Sequence, residues 1–181
     1  MAIVAIISSP EKGGNTDVVV NRIAESAKAN GKDIQTFYLN PMANRKGCQA
    51  CGACKAKGRC IQKDDLTPVL DAIREADGII LSTPVYFGEA CGQYRLLEDR
   101  FFSFLDPSFK LNMPEGKKVA VVVAAGSAGA DKLADKIEGI MTGFFKCQCV
   151  GKLAFITGND KGFAAGNAEL LAKADAIGKS F

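Results

Sequence analysis

Four of the seven cysteines stand close enough in sequence to share one metal group: Cys48-x2-Cys51-x2-Cys54-x5-Cys60. Three thiolates at two-residue intervals can wrap one face of a cubane cluster, while a fourth closes the site from further along. Structural zinc more often uses two Cys-x2-Cys pairs separated by a longer stretch, so zinc fits this spacing less well. Free cysteines packed in the interior are the bland alternative. The same segment is basic: Arg45, Lys46, Lys55, Lys57, Arg59 and Lys63 lie in it without one acidic residue, against a formal charge of +3 for the whole chain. Such a patch can offset the charge of an anionic cluster, steer an acidic electron-transfer partner, or be no more than a solvated face. Cys91, Cys147 and Cys149 fit no ligand spacing and read as small core residues.

The second group with chemical potential is Ala2–Thr16. Six apolar residues, Ala2 to Ile7, give way to Ser8-Ser9-Pro10-Glu11-Lys12-Gly13-Gly14-Asn15-Thr16, and helical periodicity follows. A strand, a polar glycine-rich loop and a helix start bring several backbone N–H groups to one spot, which suits a phosphate dianion. Ser8, Ser9, Asn15 and Thr16 offer side-chain hydrogen bonds there, and Lys12 a charge. An ordinary connection in which Asn15 or Thr16 merely caps the helix is the alternative. A third stretch, Thr83-Pro84-Val85-Tyr86-Phe87-Gly88, places backbone amides and aromatic side chains after a strand, where they can clamp a flat ring system or simply cap the sheet.

Composition narrows the chemistry. The chain of 181 residues contains no histidine, which removes histidine-based triads, histidine zinc ligands and the usual general base at neutral pH. Catalysis must rest on cysteine, carboxylate, tyrosine or a bound cofactor. Seven cysteines without a secretory pattern point to metal or redox use rather than a disulfide framework, and to the cytoplasm. The small net charge gives no support to nucleic-acid binding, and no apolar run reaches the length of a membrane span.

These groups need elements to position them. Strands are expected at about 2–7, 34–39, 78–83, 117–125 and 150–157, each followed by a helical pattern or a loop leading to one. Helices are expected from the Asn15-Thr16 junction to a cap at Gly31, over about 66–76 with Asp64 or Asp65 as cap, over about 91–105, through Leu133–Phe144, and over 165–179. Residues 41–63 read as irregular. The alternation predicts one α/β domain over 1–181, with a five-stranded parallel sheet of order 2-1-3-4-5, helices on both faces, and the cysteine-rich segment 45–63 inserted after strand 2. Its ligand would lie beyond the carboxyl ends of the strands, where loops 8–16, 83–92 and 126–131 gather. A Gly-x-Gly-x-x-Gly fingerprint is missing after the first strand, so a mononucleotide suits better than a dinucleotide.

Taken together, Ser9-Pro10 through Asn15-Thr16, the four cysteines followed by Lys63-Asp64-Asp65, Ala76-Asp77-Gly78-Ile79-Ile80, Thr83–Gly88, and Gly92-Gln93 with Asp99-Arg100 resemble the flavodoxin-like NAD(P)H-dependent FMN reductases, and within them the iron–sulfur flavoprotein branch. The resemblance implies FMN, with its phosphate on Ser9, Asn15 and Thr16, its ring against Pro84, Val85, Tyr86, Phe87 and Gly88, and a further contact near Gly126 and Ser127; Ser8, Lys12 and Gly14 of the first loop complete the candidate cofactor-binding residues. It implies a [4Fe–4S] cluster on Cys48, Cys51, Cys54 and Cys60, NAD(P)H as donor, and a homodimer or homotetramer; the acceptor is expected to be a small molecule or, from the charge of the basic segment, a ferredoxin-like protein. The flavin would carry the chemistry, so no side chain is expected to be catalytic. Two departures stand out. The family's usual Gly-Ser-Pro-Arg is Ser8-Ser9-Pro10-Glu11 here, which loses a cationic phosphate partner unless Lys12 replaces it; and Cys91 stands where serine or alanine is usual. A cluster-free FMN reductase acting on quinone, azo or flavin substrates, and a non-catalytic redox- or zinc-responsive module, are the alternative readings.

Overall fold

The computed structural model describes residues 1–181. Five parallel strands, β1 (Ala2–Ile7), β2 (Asp33–Tyr38), β3 (Gly78–Tyr86), β5 (Lys118–Ala125) and β6 (Gln148–Ile156), form a sheet of order β2-β1-β3-β5-β6. Numbered among themselves, these are in the expected 2-1-3-4-5 order. A sixth strand, β4 (Glu89–Ala90), folds back antiparallel on the end of β3.

The unbroken apolar runs of the central strands are explained by two cores. Val4 and Ile6 of β1 point into one, and Ile3, Ala5 and Ile7 into the other. In β5, Val119, Val121 and Val123 enter the first core while Ala120, Val122 and Ala124 enter the second. A strand covered on both faces has no polar side, so alternation disappears. Helices α3 (Thr67–Glu75), α4 (Gly92–Arg100) and α5 (Ala130–Gly143) cover the first face. Helices α1 (Asn15–Ala29), α6 (Phe163–Gly166) and α7 (Ala168–Ser180) cover the second. Between α1 and α7 the backbones approach so closely that a Cβ on Gly178 would stand 2.5 Å from the Ile23 carbonyl oxygen.

Several boundaries differ from the sequence expectation. Strand β3 runs past Pro84 to Tyr86, because the hairpin with β4 extends it. The helix expected over 91–105 stops at Arg100 and tightens into a 3-10 turn at Phe101–Phe104. The closing helix is two pieces, since the Asn167 side chain accepts the Leu170 N–H and starts α7 afresh. Within 41–63 one short helix, α2 (Ala53–Lys57), forms between Gly52 and Gly58, both at positive φ. Neither Asp64 nor Asp65 is the N-cap of α3; that position is Leu66, without a side-chain cap, although Asp64 Oδ1 accepts the Leu66 N–H at 3.2 Å while its Oδ2 goes to Arg100, and Asp65 takes the Asn44 N–H. Gly31, at φ 77°, follows α1 in the left-handed conformation, as its position suggests.

Candidate functional site

Strand order reverses at the β1/β3 boundary, and a crevice opens there beyond the carboxyl ends of the strands. Its volume is about 340 Å3, within the range of small-molecule sites. Ser9, Asn15 and Thr16 line it from the first loop, Pro84, Val85 and Tyr86 from the end of β3, and Gly126 from the end of β5. The N-cap of α1 is Gly14, without a side-chain cap, so Asn15 and Thr16 are the first helical residues rather than caps. The leading N–H groups of this helix of 15 residues therefore face the crevice unclaimed by a cap. Asp17 is the exception to that openness. It is buried, takes the Gly13 N–H at 2.5 Å, and is held by Asn21 Nδ2 (2.6 Å) and the Tyr38 hydroxyl (3.0 Å).

Other expected residues sit differently. Ser8 is fully buried and donates its hydroxyl to the Ser82 carbonyl, tying β1 to β3 instead of facing the crevice. Lys12 is exposed outside the lining, with Nζ 5.5 Å from the centre of the Tyr38 ring. Asn15 spends its amide on the chain: Nδ2 donates to the Asp160 carbonyl at 2.7 Å, and Oδ1 accepts the Ala164 N–H at 2.8 Å. Gly14 and Ser127 lie outside the lining, and Phe87 and Gly88 form the hairpin tip beyond it.

That tip has a defined backbone. Val85 pairs with Ala90 and Tyr86 with Glu89, so Phe87 and Gly88 are a two-residue turn with φ of 51° and 83°. Two positive φ values mark the turn that matches strand twist, which glycine and asparagine normally occupy. Phe87 accepts that conformation while fully exposed, and Tyr86 is half exposed, so neither packs as a cap on the sheet.

Sequence reasoning missed the fourth loop. Thr157, Asn159, Asp160 and Lys161, which follow β6, also line the crevice, and the Asn15 bonds hold this loop against the first one. A signal was present in Thr157-Gly158-Asn159-Asp160-Lys161-Gly162, a turn-forming run at the carboxyl end of a strand. Lys161 Nζ lies 2.8 Å from Glu11, bridging the two loops at the mouth. A Cβ on Gly126 would meet Asn159 Oδ1 at 2.2 Å, so any larger residue there would have to turn the exposed Asn159 side chain aside.

The four cysteines line a separate small cavity, together with Arg100, Phe102 and Ser103. Cys54 is buried on α2, Cys60 is half buried, and Cys48 and Cys51 are exposed. The chain turns between them at Ala50, Gly52 and Gly58, with φ of 52°, 70° and 69°. No three Cys, Asp or Glu side chains stand in metal-ligating geometry. Arg100 is buried behind the cavity, with Nε 3.1 Å from Cys60 Sγ and Nη1 2.8 Å from the Asp64 carboxylate. Burial alone pushes the Asp64 carboxyl up, but the hydrogen bond and charge of Arg100 and the N–H groups of Lys46 and Leu66 together hold it below its ordinary value. Of the basic segment, Arg45 is turned inward onto the carbonyls of Leu39, Asn40 and Met42. Lys55 is similarly engaged, donating to the Phe102 and Leu105 carbonyls and lying over the Phe102 ring. Lys46, Lys57, Arg59 and Lys63 remain exposed.

Helix α4 joins the two places. Its head, at Cys91, is fastened to the crevice by the thiol on the Ser8 carbonyl (3.3 Å) and the N–H on Thr83 Oγ1 (3.1 Å). Its last residue is Arg100, about 14 Å further along the axis at the rise of an α-helix. Cys91 and Cys147 are buried, as core residues should be, and Cys149 is half buried.

A parallel sheet in this order, with a crevice at its switch point and an uncapped helix head opening on it, defines a flavodoxin-like protein. The sequence matches the family described as NADPH-dependent FMN reductase over residues 1–162, and the chain belongs to that family. Curated relatives include an "Iron-sulfur flavoprotein" of Methanosarcina thermophila, 33% identical over 67% of this chain and 63% of that protein. Another from Methanocaldococcus jannaschii is 36% identical over 67% of this chain and 62% of its own length, and one from Archaeoglobus fulgidus is 41% identical over 55% and 48%. The chain thus spans about half to two thirds of the length of these relatives. Among solved structures, a flavone reductase superposes with a TM-score of 0.74 at 18% identity, covering 99% of this chain and 61% of that one. An NAD(P)H:quinone oxidoreductase from Methanothermobacter marburgensis gives 0.65 at 14%, covering 99% and 96%. At such identities these structures bear on the fold alone.

Proposed function

We propose that this protein is an oxidoreductase that holds FMN in the crevice, accepts hydride from NAD(P)H, and hands electrons to an acceptor through a [4Fe–4S] cluster on Cys48, Cys51, Cys54 and Cys60. The observation that carries this reading is the α1 head, uncapped by any side chain and opening on a crevice of ligand size at the β1/β3 switch point. FMN, when bound, supplies the hydride acceptance and one-electron transfer that ordinary side chains do not provide. The chain's own part is positioning. Thr16 and the helix N–H groups suit the phosphate, and Lys161 supplies the cation that Glu11 displaced from the first loop. Pro84, Val85 and Tyr86 form a wall for a flat ring, and the exposed hairpin tip leaves Phe87 free to cover it.

The cysteine donor set fits a soft iron–sulfur group better than a hard cation, and all four thiols share one cavity. Names of the archaeal relatives support the same reading. A second reading, a cluster-free FMN reductase acting on quinone, azo or flavin substrates, is favoured by one observation: no three of the side chains stand in ligating geometry. We further propose a homodimer or homotetramer, with a small molecule or an acidic ferredoxin-like protein as acceptor. Seven free cysteines suit a reducing cytoplasm, and no helix is long and apolar enough to cross a membrane.

The deciding measurement is the visible spectrum of anaerobically purified protein with iron and sulfide analysis. Flavin bands with a broad shoulder near about 400 nm support the cluster, flavin bands alone support the second reading, and a colourless protein that binds no FMN overturns both. Thr16→Val should weaken FMN binding by about 1–3 kcal/mol; unchanged affinity by fluorescence quenching would remove Thr16 from the phosphate site.

A further inference from the structure

Two buried side-chain polar atoms have no hydrogen-bond partner, the Tyr94 hydroxyl and Nη2 of Arg100. The second is the harder to explain. Arg100 carries its charge on a side chain with no exposed surface. Its Nε–H reaches Cys60 Sγ at 3.1 Å, and Nη1 serves both the Lys46 carbonyl at 3.0 Å and the Asp64 carboxylate at 2.8 Å. A guanidinium has five N–H donors in a fixed fork, so the two on Nη2 are left over. An unpaired donor on a buried cation is the costliest kind of omission, because water cannot replace the missing acceptor. Yet the same residue lines the cavity shared by Cys48, Cys51, Cys54 and Cys60.

We propose that Arg100 is a positioning residue of the cysteine site: Nε–H holds Cys60, and Nη2–H is the reserved donor to the sulfurs of an anionic group bound there, raising its reduction potential. The inference rests on the cluster reading above and extends it to a residue outside the ligand set. Hydrogen bonds to cluster sulfurs favour the more negative, reduced state, since a charged donor gains most where electron density is added. Asp64 explains why an arginine is used. Its carboxylate fixes one nitrogen of the fork, so the other two are directed by the rigid plane rather than by a flexible stem. The position of Arg100 at the last residue of α4 makes it the point where the helix fastened at the crevice ends on the cysteines.

The test uses whole protein reconstituted anaerobically with iron and sulfide, comparing wild type with Arg100→Lys and Asp64→Asn. Lysine keeps the charge that Asp64 needs, but one nitrogen cannot also occupy the places of Nε and Nη2. Iron and sulfide content, thermal unfolding and an EPR-monitored dithionite titration are read for each. In R100K the ratio of reduced to oxidised cluster at a fixed poise should fall about tenfold, equivalent to about 59 mV for a one-electron couple. In D64N, where Arg100 remains and the amide oxygen can still accept from Nη1, the ratio should not fall, since loss of the carboxylate charge acts in the opposite direction. A loaded R100K with wild-type potential, or a D64N whose ratio falls as far as that of R100K, overturns the assignment. The Asp64→Asn/Arg100→Gln double variant removes both charges and guards against misfolding of R100K; it should show the same fall, and a wild-type potential in it also overturns the idea. If R100K and the double variant fold without taking up iron while D64N loads, Arg100 is needed for assembly, which supports the assignment; failure to load in all three makes the ion pair itself the requirement and overturns it. A wild-type protein that takes up no iron or sulfide removes the cluster reading and this inference together, whereas a loaded wild type with unshifted variants removes this inference alone.

Discussion

Lys161 supplies a positive charge in the crevice lining, where Lys12 of the first loop does not reach. It lies on the loop after β6, yet reaches Glu11 of the first loop at 2.8 Å. With a phosphate present the lysine has a second, doubly charged partner, and Glu11 becomes a like-charged neighbour of that partner. Lys161→Gln should therefore weaken FMN binding by about twofold to fivefold, the scale of an exposed ion pair, while leaving riboflavin, which has no phosphate, unaffected. Glu11→Gln should strengthen FMN binding. Equal losses for both flavins in K161Q would show that the side chain holds the loop and not the phosphate. A second residue-level expectation concerns Cys147, which burial pushes up to about 11. Well below pH 9 the thiol is protonated in both folded and unfolded chains and contributes no pH dependence. Between about 9 and 11 only the unfolded chain loses the proton, so stability falls as pH rises, by up to about 3 kcal/mol in total. Lys117, whose own pKa burial lowers, stands close enough to interact with that thiol and works in the opposite sense. Denaturant melts of wild type and Cys147→Ser across this window should converge as pH rises; parallel curves would show that the thiol does not titrate late.

At the scale of elements, the β3–β4 hairpin is the part of the crevice wall least tied to the core. Tyr86 and Phe87 are exposed at its end, and Phe87 sits at positive φ on the turn. Exposed side chains of this kind usually contribute within about 0.5 kcal/mol to stability. Tyr86→Ala should accordingly leave the melting temperature of the apoprotein nearly unchanged while altering bound-flavin fluorescence and the rate of hydride transfer. A loss of apoprotein stability comparable to a core truncation would instead make the hairpin a structural cover. Phe87→Gly separates the same two roles from the other side: it relieves the strained turn and removes the aromatic ring, so the fold should gain stability while flavin fluorescence changes.

For the whole molecule, charge is unevenly spread. The chain carries +3 in all, but the cysteine segment holds six basic residues and no acid. Two of the six, Arg45 and Lys55, are engaged with backbone carbonyls, which leaves Lys46, Lys57, Arg59 and Lys63 facing solvent near the cysteine cavity. Reversing Lys57, Arg59 and Lys63 to glutamate should slow electron delivery to an acidic ferredoxin-like acceptor and flatten its dependence on ionic strength. Reduction of a small neutral quinone should change far less. Equal slowing for both acceptors at every salt concentration would assign the patch to solvation alone. Lys55 belongs outside this test, since its loss would also remove its hydrogen bonds to the Phe102 and Leu105 carbonyls.

The parallel sheet and its order followed from local patterns, because short, β-branched apolar runs such as Ala2–Ile7, ended by turn residues, suit a strand covered on both faces, and helices between strands give right-handed crossovers. The clustering of four cysteines, and the loop ahead of Thr16, were legible for the same reason: their residues are neighbours in sequence. What only the tertiary structure decided involves residues far apart in the chain. Asn15 is claimed by Asp160 and Ala164, 145 and 149 positions away, so a residue expected on the phosphate became a clasp between loops. Ser8 was spent on Ser82 across the sheet, and Asp64 divides its carboxylate between the local Leu66 N–H and Arg100, 36 positions on. Lys161 reached the crevice for the same cause. A local pattern fixes which backbone forms an element, but a polar side chain goes to whichever partner folding brings within about 3 Å, and that depends on how the layers close.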